Sequence, residues 1–467
     1  MLFEFSVSNF RSFAERKTLS MVASNKFQDH LLHRIPVSGN DEQVLRAAVV
    51  YGPNGAGKSN LVKAIKFAQD LIIPKSRNPI GNVAGNHFKL GSEPIGPTTF
   101  EFVYGNGEWV FAYEFSIQND AISTEKLAII SNSEDEIEIF SRLNAEISIG
   151  DDFINEFGAS AKPSEHALYA LIELGTRKNQ LLLSKVVDLG SKNRGSILDA
   201  AATWFEDSLR VFEPDSALNF FNLQKPKFGN VLSMVQDDQS FAKFAGTFLE
   251  AIGTGINRVQ VATSQIKEGL PKGILDALKS AESSESIVTS DFGTDLILDR
   301  NNTDQVIRRS LIAYHEVDGS EYPMSFGDAS DGTKRFLEML PAPYVSKEQL
   351  NQPKVFVIDE FDRSLHPTLS HSLLKFFVDC CTRSSQQLIV TTHETKLLDR
   401  DLLRPDEIWF IDKNEKQQSQ LYSMAEFGVR NDLRLEKGYF NGRFDALPPI
   451  NDSDFERMVE FLESTYK

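Results

Sequence analysis

Hydrophobic and polar residues alternate with a period of two along much of the first 150 residues, which is typical of β-strands with one buried face. The opening run 1–13 alternates in this way. Two further alternating runs within 98–117 flank Asn106-Gly107, and this dipeptide is a strong tight-turn signal that predicts a β-hairpin. The alternation continues through 121–149. We therefore expect the first part of the chain to be rich in strands joined by short turns.

Three short runs are instead apolar throughout, which is typical of strands buried on both faces of a sheet. They lie at 47–50, 355–358 and 388–390. Residues 61–72, after the first run, carry apolar side chains at helical spacing. This combination of buried strands and an amphipathic helix predicts an α/β fold.

Between these parts the hydrophobic spacing changes to three and four residues, which predicts helices. The expected helical segments are 164–188, 195–210, 231–252 and 269–283, followed by strands over 287–317 with a turn at 299–302. No segment sustains several heptads, so a long coiled-coil arm is not supported. Trp204 and Phe205 are expected in the core rather than at a ligand site. The predicted domains are an N-terminal lobe at 1–150, a helical insertion at 151–290 and a C-terminal lobe at 291–467.

Composition is that of an ordinary globular protein and argues against some functions. The 467 residues are enough for two or three subdomains, and no apolar run reaches the roughly 18 residues that a membrane span needs. The net charge of −17 disfavours a broad nucleic-acid surface but leaves a local basic groove open. The opening residues do not resemble a signal peptide, and the adjacent Cys380 and Cys381 are expected as buried thiols. A cytoplasmic location is therefore expected.

The first chemical motif is 51–60, YGPNGAGKSN, which fits the phosphate-loop pattern G-x-x-x-x-G-K-[ST]. Backbone N–H groups and the positive end of the next helix attract a phosphate there, so the loop needs residues without a Cβ. Lys58 is expected to reach the β- and γ-phosphate oxygens and Ser59 to bind Mg²⁺. A chance match is the alternative, and the strand before and helix after disfavour it. The candidate nucleotide-binding residues are Asn54, Gly55, Ala56, Gly57, Lys58, Ser59 and Asn60.

A second candidate anion site is the sequence Ser330-Asp331-Gly332-Thr333 at the start of a predicted helix. A small hydroxyl residue, a glycine and a helix N-terminus can receive an anion, although on its own this sequence would be read as a plain helix cap. The apolar run 355–358 ends in two carboxylates 29 residues later (359 − 330). There Asp359 is expected to hold the Mg²⁺ shell through water, and Glu360 to polarise the attacking water.

The last apolar run ends in Thr391-Thr392-His393. A strand of this kind delivers an imidazole to the carboxyl edge of a sheet, where open α/β sheets bind their ligands. His393 is therefore expected to donate to the γ-phosphate and to sense its loss. A structural histidine is the alternative, and the order of the motifs favours the functional interpretation.

The order of these motifs resembles that of the ABC ATPases, and the opening strand with Asn9-Phe10-Arg11-Ser12-Phe13 resembles the SMC and RecF-like members. The resemblance covers about 1–120 and 310–412. It implies a P-loop ABC-type ATPase head with an antiparallel β-subdomain, and two heads that face each other head to tail. The roles that it implies are catalysis for Lys58, Glu360 and His393, metal binding for Ser59 and Asp359, and nucleotide contacts for Arg11, Ser330, Asp331, Gly332, Thr333 and the D-loop residue Asp362.

Several stretches are similar, more narrowly, to ABC-type ATPases of bacterial phage-defence operons, such as the ATPase components of PARIS and AbiL/Rlo-like systems. These stretches are 9–13, 329–336, 359–367, 391–395 and 404–450. The resemblance implies a sensor and scaffold that uses ATP and Mg²⁺ as a homodimer of heads or a higher homo-oligomer. Its implied partner is a separately encoded effector, a Toprim-type nuclease or toxin, with a phage protein as a candidate trigger.

Two departures from the family leave details open. The metal-contacting glutamine of the family has no counterpart, and residues 86–90, NHFKL, occupy its region. The acidic charge leaves direct DNA binding open, so a RecF- or SMC-like ATPase of DNA repair or DNA ends is the alternative function. A transporter subunit is disfavoured by the long insertion. An internal nuclease is disfavoured because only 74 residues follow His393 (467 − 393), and Asp452-Ser453-Asp454 is interpreted as the cap of a final amphipathic helix.

Overall fold

The computed structural model describes most of the chain and shows a mixed α/β architecture. The described residues are 1–37, 42–73, 85–91, 96–130, 135–144, 146–153, 176–189, 197–213, 231–266, 285–291, 294–299, 305–345, 352–380, 384–427, 435 and 452–465. The strands in chain order are β1 (Leu2–Ser8), β2 (Lys17–Ser20), β3 (Arg34–Pro36), β4 (Gln43–Leu45), β5 (Ala47–Tyr51), β6 (Thr98–Asn106), β7 (Trp109–Gln118), β8 (Ala121–Ile130), β9 (Glu136–Leu143), β10 (Glu146–Ile149), β11 (Leu209–Phe212), β12 (Ile256–Ile266), β13 (Glu285–Asp291), β14 (Thr294–Asp299), β15 (Gln305–Val317), β16 (Ser320–Ser325), β17 (Lys354–Ile358), β18 (Gln386–Thr392), β19 (Ile408–Lys413) and β20 (Ser419–Ser423). The helices are α1 (Lys58–Ile72), α2 (Leu182–Leu189), α3 (Ile197–Thr203), α4 (Val231–Asp237), α5 (Gln239–Ala251), α6 (Asp331–Met339), α7 (Pro367–Cys380) and α8 (Asp452–Thr465), with a π-helical turn at Trp204–Ser208.

The central sheet has the strand order β11-β17-β18-β5-β19-β20. All neighbours in it are parallel except β19 and β20. The three apolar runs of the sequence become β5, β17 and β18, which lie side by side and are buried along their whole length. Because these strands are parallel, the loops that follow them leave the same edge of the sheet.

A second sheet, with the order β10-β9-β8-β7-β6-β1-β2, is antiparallel throughout. It contains the predicted hairpin of β6 and β7, in which Asn106 pairs with Trp109. The two-residue loop is therefore Gly107-Glu108, one position later than expected, and Gly107 adopts a φ of 66° that glycine accepts readily. The predicted α/β fold class with an antiparallel β-subdomain is confirmed.

The segment expected to be a helical insertion is only partly helical. Helices α2 to α5 fall within the predicted segments, whereas 164–175 and 269–283 lie outside the described residues. Strand β11 replaces the end of the predicted helix 195–210, because it pairs in parallel with β17 at the edge of the central sheet. Strand β12 joins a third sheet, with the order β12-β15-β14-β13 and β16 beside β15. Tertiary pairing thus overrides the local pattern, and the three domain boundaries stay a prediction.

Two hydrophobic cores cover the two faces of the central sheet. Ala48 and Val50 of β5 face a core shared with α1 and the antiparallel sheet. Ala47 and Val49 face the opposite core, which contains apolar residues of α5, α6 and α7. Because both faces of β5 are apolar, its register is set by its pairing with β18 and β19 rather than by alternation of apolar and polar residues. The central sheet is therefore packed against a hydrophobic core on each face.

Trp204 and Phe205 lie in the core, as the sequence predicted. Both side chains are fully buried, and their rings pack against Tyr104 of β6. Helix α8 is also present where the capping pattern predicted it. Cys380 ends α7 and Cys381 lies outside the described residues, so the state of these thiols stays a prediction. Within the described part of the chain, no helix is long and apolar enough to cross a membrane.

One buried carboxylate joins the antiparallel sheet to the helices. Glu125 of β8 is 1% exposed and accepts hydrogen bonds from the backbone N–H groups of Leu182 and Leu183. It also accepts a bond from the Tyr113 hydroxyl at 2.7 Å. Burial raises the pKa of Glu125, and these donors oppose that rise. The carboxylate thus satisfies the N-terminal N–H groups of α2, which would otherwise be buried without partners.

Candidate functional site

The candidate site lies at the edge of the central sheet where β5, β17 and β18 end. The phosphate loop follows β5, Asp359 and Glu360 follow β17, and His393 follows β18. Since β18 lies between β17 and β5, these segments are brought together although they are hundreds of residues apart in sequence. The sequence predicted this convergence from the polar residues at the strand ends.

The phosphate loop has the backbone that its glycines permit. Gly55 and Gly57 have φ angles of 78° and 125°, a range that side chains disfavour. A Cβ at Gly52 would overlap the carbonyl oxygen of Ile411, and a Cβ at Gly57 would overlap the hydroxyl oxygen of Ser419. The conformation and the close packing together explain why these positions carry glycine.

Two serines that the sequence did not single out for this role support the loop from beneath. The Ser419 hydroxyl donates to the carbonyl oxygen of Ala56 and lies 2.8 Å from the Ser12 hydroxyl oxygen. The Ser12 hydroxyl oxygen also accepts a bond from Asn60 Nδ2 at 2.8 Å. Ser12 belongs to the opening motif, which gave a partial signal, whereas nothing in the sequence around Ser419 marks it.

Lys58 begins α1 and is only 6% exposed. Its Nζ donates to the carbonyl oxygens of Gly52 at 2.7 Å and Pro53 at 3.1 Å, and it lies 3.3 Å from His393 Nδ1. Burial lowers the pKa of Lys58 to about 8, although the charges of the nearby aspartates and Glu360 oppose this. Burial inside the loop thus makes the charged form of Lys58 less favourable, and a bound anionic ligand would stabilise that charge.

Asp359 is 1% exposed at the end of β17, and its carboxylate accepts a hydrogen bond from the Thr391 hydroxyl. Glu360 follows with a φ of 51°, which is left-handed backbone in a residue other than glycine. Its side chain is 40% exposed and forms an ion pair with Arg363 at 3.5 Å. One carboxylate is therefore buried and hydrogen-bonded, and the next is partly exposed to solvent.

Asp362 connects the D-loop to the end of β18. Its Oδ1 accepts hydrogen bonds from the Thr392 hydroxyl at 2.7 Å and from the His393 backbone N–H at 3.3 Å. Burial lowers the pKa of His393, and the charge of Lys58 lowers it further. The imidazole is thus favoured in its neutral form, in which Nδ1 can accept from Lys58.

The Ser330 turn caps α6. The Ser330 hydroxyl oxygen accepts a hydrogen bond from the Thr333 N–H at 3.2 Å, while Ser330 and Asp331 are exposed. A Cβ at Gly332 would lie 2.5 Å from the carbonyl oxygen of Ser364, so the helix start packs directly on the D-loop of the same chain. No hydrogen bond joins 330–333 to 52–60, and both stretches belong to the described residues.

The backbone of Arg11 lies beside residues 85–91. Its backbone N–H donates to the carbonyl oxygen of Asn86 at 2.6 Å, and its side chain is exposed. The neighbouring Asn9 side chain accepts from the Phe88 N–H at 3.1 Å. Residues 86–90, which occupy the region of the family's glutamine, are thus tied to the end of β1.

The residues of this edge fit a nucleoside triphosphate with a magnesium ion. Backbone N–H groups of the glycine-rich loop and the buried Lys58 are suited to phosphate oxygens. No three His, Cys, Asp or Glu side chains among the described residues are arranged to hold a metal by themselves. A magnesium ion would take most of its ligands from phosphate and water, and the oxygens of Ser59 and Asp359 are of the type that it would need from the protein.

A family model with the description "AAA domain, putative AbiEii toxin, Type IV TA system" matches residues 47–399. The chain belongs to this AAA-domain family. The matched range begins at β5 and ends just beyond His393, so it contains every candidate site residue except Arg11. The general expectation of a P-loop ATPase is thus confirmed, and the narrower resemblance to PARIS and AbiL/Rlo-like systems stays a prediction.

Solved structures similar to this AAA-family chain include two SMC heads. The crystal structure of the SmcHead bound to the C-winged helix domain of ScpA has 11% identity and a TM-score of 0.35, covering 90% of this chain and 97% of that chain. The SMC head domain from Thermotoga maritima has 11% identity and a TM-score of 0.32, covering 90% and 98%. No curated protein sequence matches the chain.

Proposed function

We propose that the protein binds ATP with Mg²⁺ and hydrolyses it between two copies arranged head to tail. The observation that carries the proposal is the convergence of Lys58, Asp359, Glu360 and His393 at one sheet edge, while the exposed Ser330 turn makes no hydrogen bond to its own phosphate loop within the described residues. The turn is therefore available to a triphosphate held by a second copy. Stabilising the transition state of phosphoryl transfer requires charge and donors from several directions.

We assign each residue a proposed role that its position supports. The loop residues Asn54 to Asn60 hold the phosphates, and Lys58 neutralises the β- and γ-phosphate oxygens. Ser59 and the buried Asp359 would hold a magnesium ion, which would withdraw charge from the transferring phosphoryl group. Glu360, the more exposed carboxylate, orients the attacking water, and His393 contacts the γ-phosphate beside Lys58.

The Ser330 turn supplies the opposite side of the site in a second copy. Its exposed hydroxyl and the N-terminus of α6 present donors to an anion, with Asp331, Gly332 and Thr333 completing the turn. The D-loop packs against this turn through the carbonyl group of Ser364, so its residue Asp362 is proposed to approach the same interface. Arg11 is proposed to contact the nucleotide from the antiparallel sheet.

A complementation experiment tests the head-to-tail arrangement. Lys58→Ala removes the phosphate-loop lysine, and Ser330→Arg blocks the turn with a large side chain, so each homodimer is expected to be inactive. A mixed dimer regains one site that has both an intact loop and an intact turn. We expect mixing to restore turnover, and two inactive variants that stay inactive together would contradict the proposal. Glu360→Gln should stop turnover and accumulate an ATP-bound dimer, measurable by light scattering.

We further propose that the ATPase controls a separately encoded effector, a nuclease or toxin, in bacterial antiphage defence. The family description names a toxin–antitoxin context, and the phage-defence resemblance of the sequence agrees with it. The net charge of −17 makes a broad DNA surface unfavourable. Co-purification with the product of the adjacent gene, with and without ATP, tests this role. ATP-dependent, salt-sensitive DNA binding by the isolated chain would instead favour the DNA-repair alternative.

A further inference from the structure

The peptide unit between Asp359 and Glu360 is held at both of its polar ends. Its carbonyl oxygen, on Asp359, accepts a hydrogen bond from Arg335 Nη2 at 2.9 Å. Its N–H, on Glu360, donates to the Thr391 hydroxyl oxygen at 2.9 Å. One end is thus fixed by helix α6 and the other by strand β18, and the orientation of this peptide plane sets the direction in which Glu360 leaves the sheet.

These two hydrogen bonds are needed because Glu360 adopts a left-handed backbone conformation, with a φ of 51°. For a residue with a Cβ this conformation costs roughly 1–2 kcal/mol. Such strain persists only where the surroundings determine the conformation, and it is concentrated at functional sites. The two hydrogen bonds to the preceding peptide hold Glu360 in this conformation.

Arg335 reaches this peptide from the helix that carries the Ser330 turn. Its side chain is 11% exposed, and its Nη1 lies 3.4 Å from the Glu338 carboxylate on the same helix. Its Nε is buried without a hydrogen-bond partner among the described residues. A buried polar group without a partner costs stability, so the position of this guanidinium is poorly explained by stability alone.

We propose that Arg335 is a positioning residue that links the Ser330 turn to Glu360 of the same chain. The inference rests on the proposed function, in which the Ser330 turn contacts the triphosphate held by a second copy. Contact with that triphosphate fixes the start of α6, and Arg335 transmits this to the peptide that orients Glu360. Glu360 is thus correctly oriented in the site of its own phosphate loop when the Ser330 turn of the same chain contacts the triphosphate held by the second copy.

The test compares Arg335→Ala and Arg335→Lys with two controls on the same helix. Lys334→Ala removes a neighbouring positive charge, and Glu338→Gln removes the ion pair of Arg335 but leaves its bond to Asp359. Because a catalytic group displaced by about 1 Å can lose on the order of 100-fold in rate, we expect Arg335→Ala to lower kcat by 10- to 100-fold. The KM for ATP should change less than about twofold, and both controls should retain the kcat of the unmodified protein.

A chemical rescue distinguishes positioning from a general structural role. Added guanidinium at millimolar concentration should restore part of the kcat of Arg335→Ala and leave the controls unchanged, because it replaces the missing donor without repairing a misfolded chain. Arg335→Lys keeps the charge but lacks the planar guanidinium group, so its kcat should lie between that of Arg335→Ala and that of the unmodified protein. An unchanged kcat in Arg335→Ala, or no rescue in a variant that unfolds at the same urea concentration as the unmodified protein, would overturn the inference.

The background of Glu360→Gln separates this inference from the proposed function. If Arg335 affects only the orientation of the Glu360 side chain, the double variant Arg335→Ala/Glu360→Gln should still accumulate the ATP-bound dimer. Loss of the dimer would place Arg335 in nucleotide binding or association and refute the positioning role. Failure of the unmodified protein to hydrolyse ATP would instead refute the proposed function itself.

Discussion

The Nζ of Lys58 and the Nδ1 of His393 lie 3.3 Å apart, although 335 residues separate them in the chain. Both groups have a lowered pKa, and burial is the larger cause for each. In this arrangement the lysine is the donor and the neutral imidazole the acceptor. The phosphate loop and the end of β18 are thus joined through one hydrogen bond that a γ-phosphate would compete for.

Replacing Lys58 by Met is expected to raise the pKa of His393. The charge of Lys58 disfavours the imidazolium, so its removal makes protonation easier, while burial continues to hold the pKa below its ordinary value. Histidine resonances followed by NMR over pH 4–8 measure this shift, and the other histidines provide internal references. A His393 titration that is the same in both proteins would show that the two groups do not interact.

ATP affinity is expected to fall as the pH rises above about 8. The pKa of Lys58 is lowered to about 8, so the nucleotide-free protein loses the lysine charge there rather than near the ordinary value of 10.5. Above that pH the dissociation constant should increase by up to about tenfold per pH unit, since binding must then take up a proton. Fluorescent ATP titrations from pH 7 to 9.5 check this. Lys58→Arg, whose charge does not titrate in this range, should give a flat profile if it binds.

Gly57→Ala is expected to abolish ATP binding for two separable reasons. The new methyl group would overlap the Ser419 hydroxyl oxygen, and the φ of 125° is unfavourable for alanine. The double variant Gly57→Ala/Ser419→Ala removes the closest overlap only, since the Ser12 hydroxyl oxygen would still lie 2.9 Å from the new methyl group and the φ is unchanged. We expect it to recover part of the thermal stability but little affinity, because backbone strain of about 1–3 kcal/mol remains in the loop. Full recovery would show that space alone requires the glycine.

Gly332→Ala should lower turnover without lowering the affinity of a single chain for ATP. A Cβ there would lie 2.5 Å from the Ser364 carbonyl oxygen and separate α6 from the D-loop, whereas the phosphate loop of the same chain is untouched. Turnover and binding of a fluorescent ATP analogue at low protein concentration distinguish the two effects. Equal loss of both would indicate that the Ser330 turn contacts nucleotide within its own chain.

Glu125→Ala should destabilise the antiparallel sheet and its attached helices. It leaves the N–H groups of Leu182 and Leu183 and the Tyr113 hydroxyl without their acceptor. The loss of a helix cap and of buried hydrogen bonds predicts about 2–3 kcal/mol less stability. Urea unfolding followed by tryptophan fluorescence measures it. Tyr113→Phe, which removes one of these bonds, should cost about 1 kcal/mol, and similar losses in both would contradict a shared role of the carboxylate.

Much of the site could be predicted from sequence because its residues follow strands with a strong local pattern. The apolar runs before Gly52, Asp359 and His393 each become a central strand, and parallel packing brings their ends together. Strand β11 could not be predicted in this way, since its partner β17 lies more than a hundred residues later. Ser419 was missed for the same reason: its role depends on contact with Ala56, and a lone serine carries no pattern.

The position of β5 between β18 and β19 has a consequence for how the protein is made. Both neighbours of this strand are synthesised more than 300 residues after it, so a ribosome-bound chain carries an apolar strand with two unpaired edges for most of its translation. Unpaired edges of this kind promote aggregation. A premature stop before residue 386 leaves both edges of β5 unpaired, and a stop before residue 408 leaves one edge unpaired. Fragments containing the glycine-rich loop alone are expected to precipitate rather than act as dominant inhibitors.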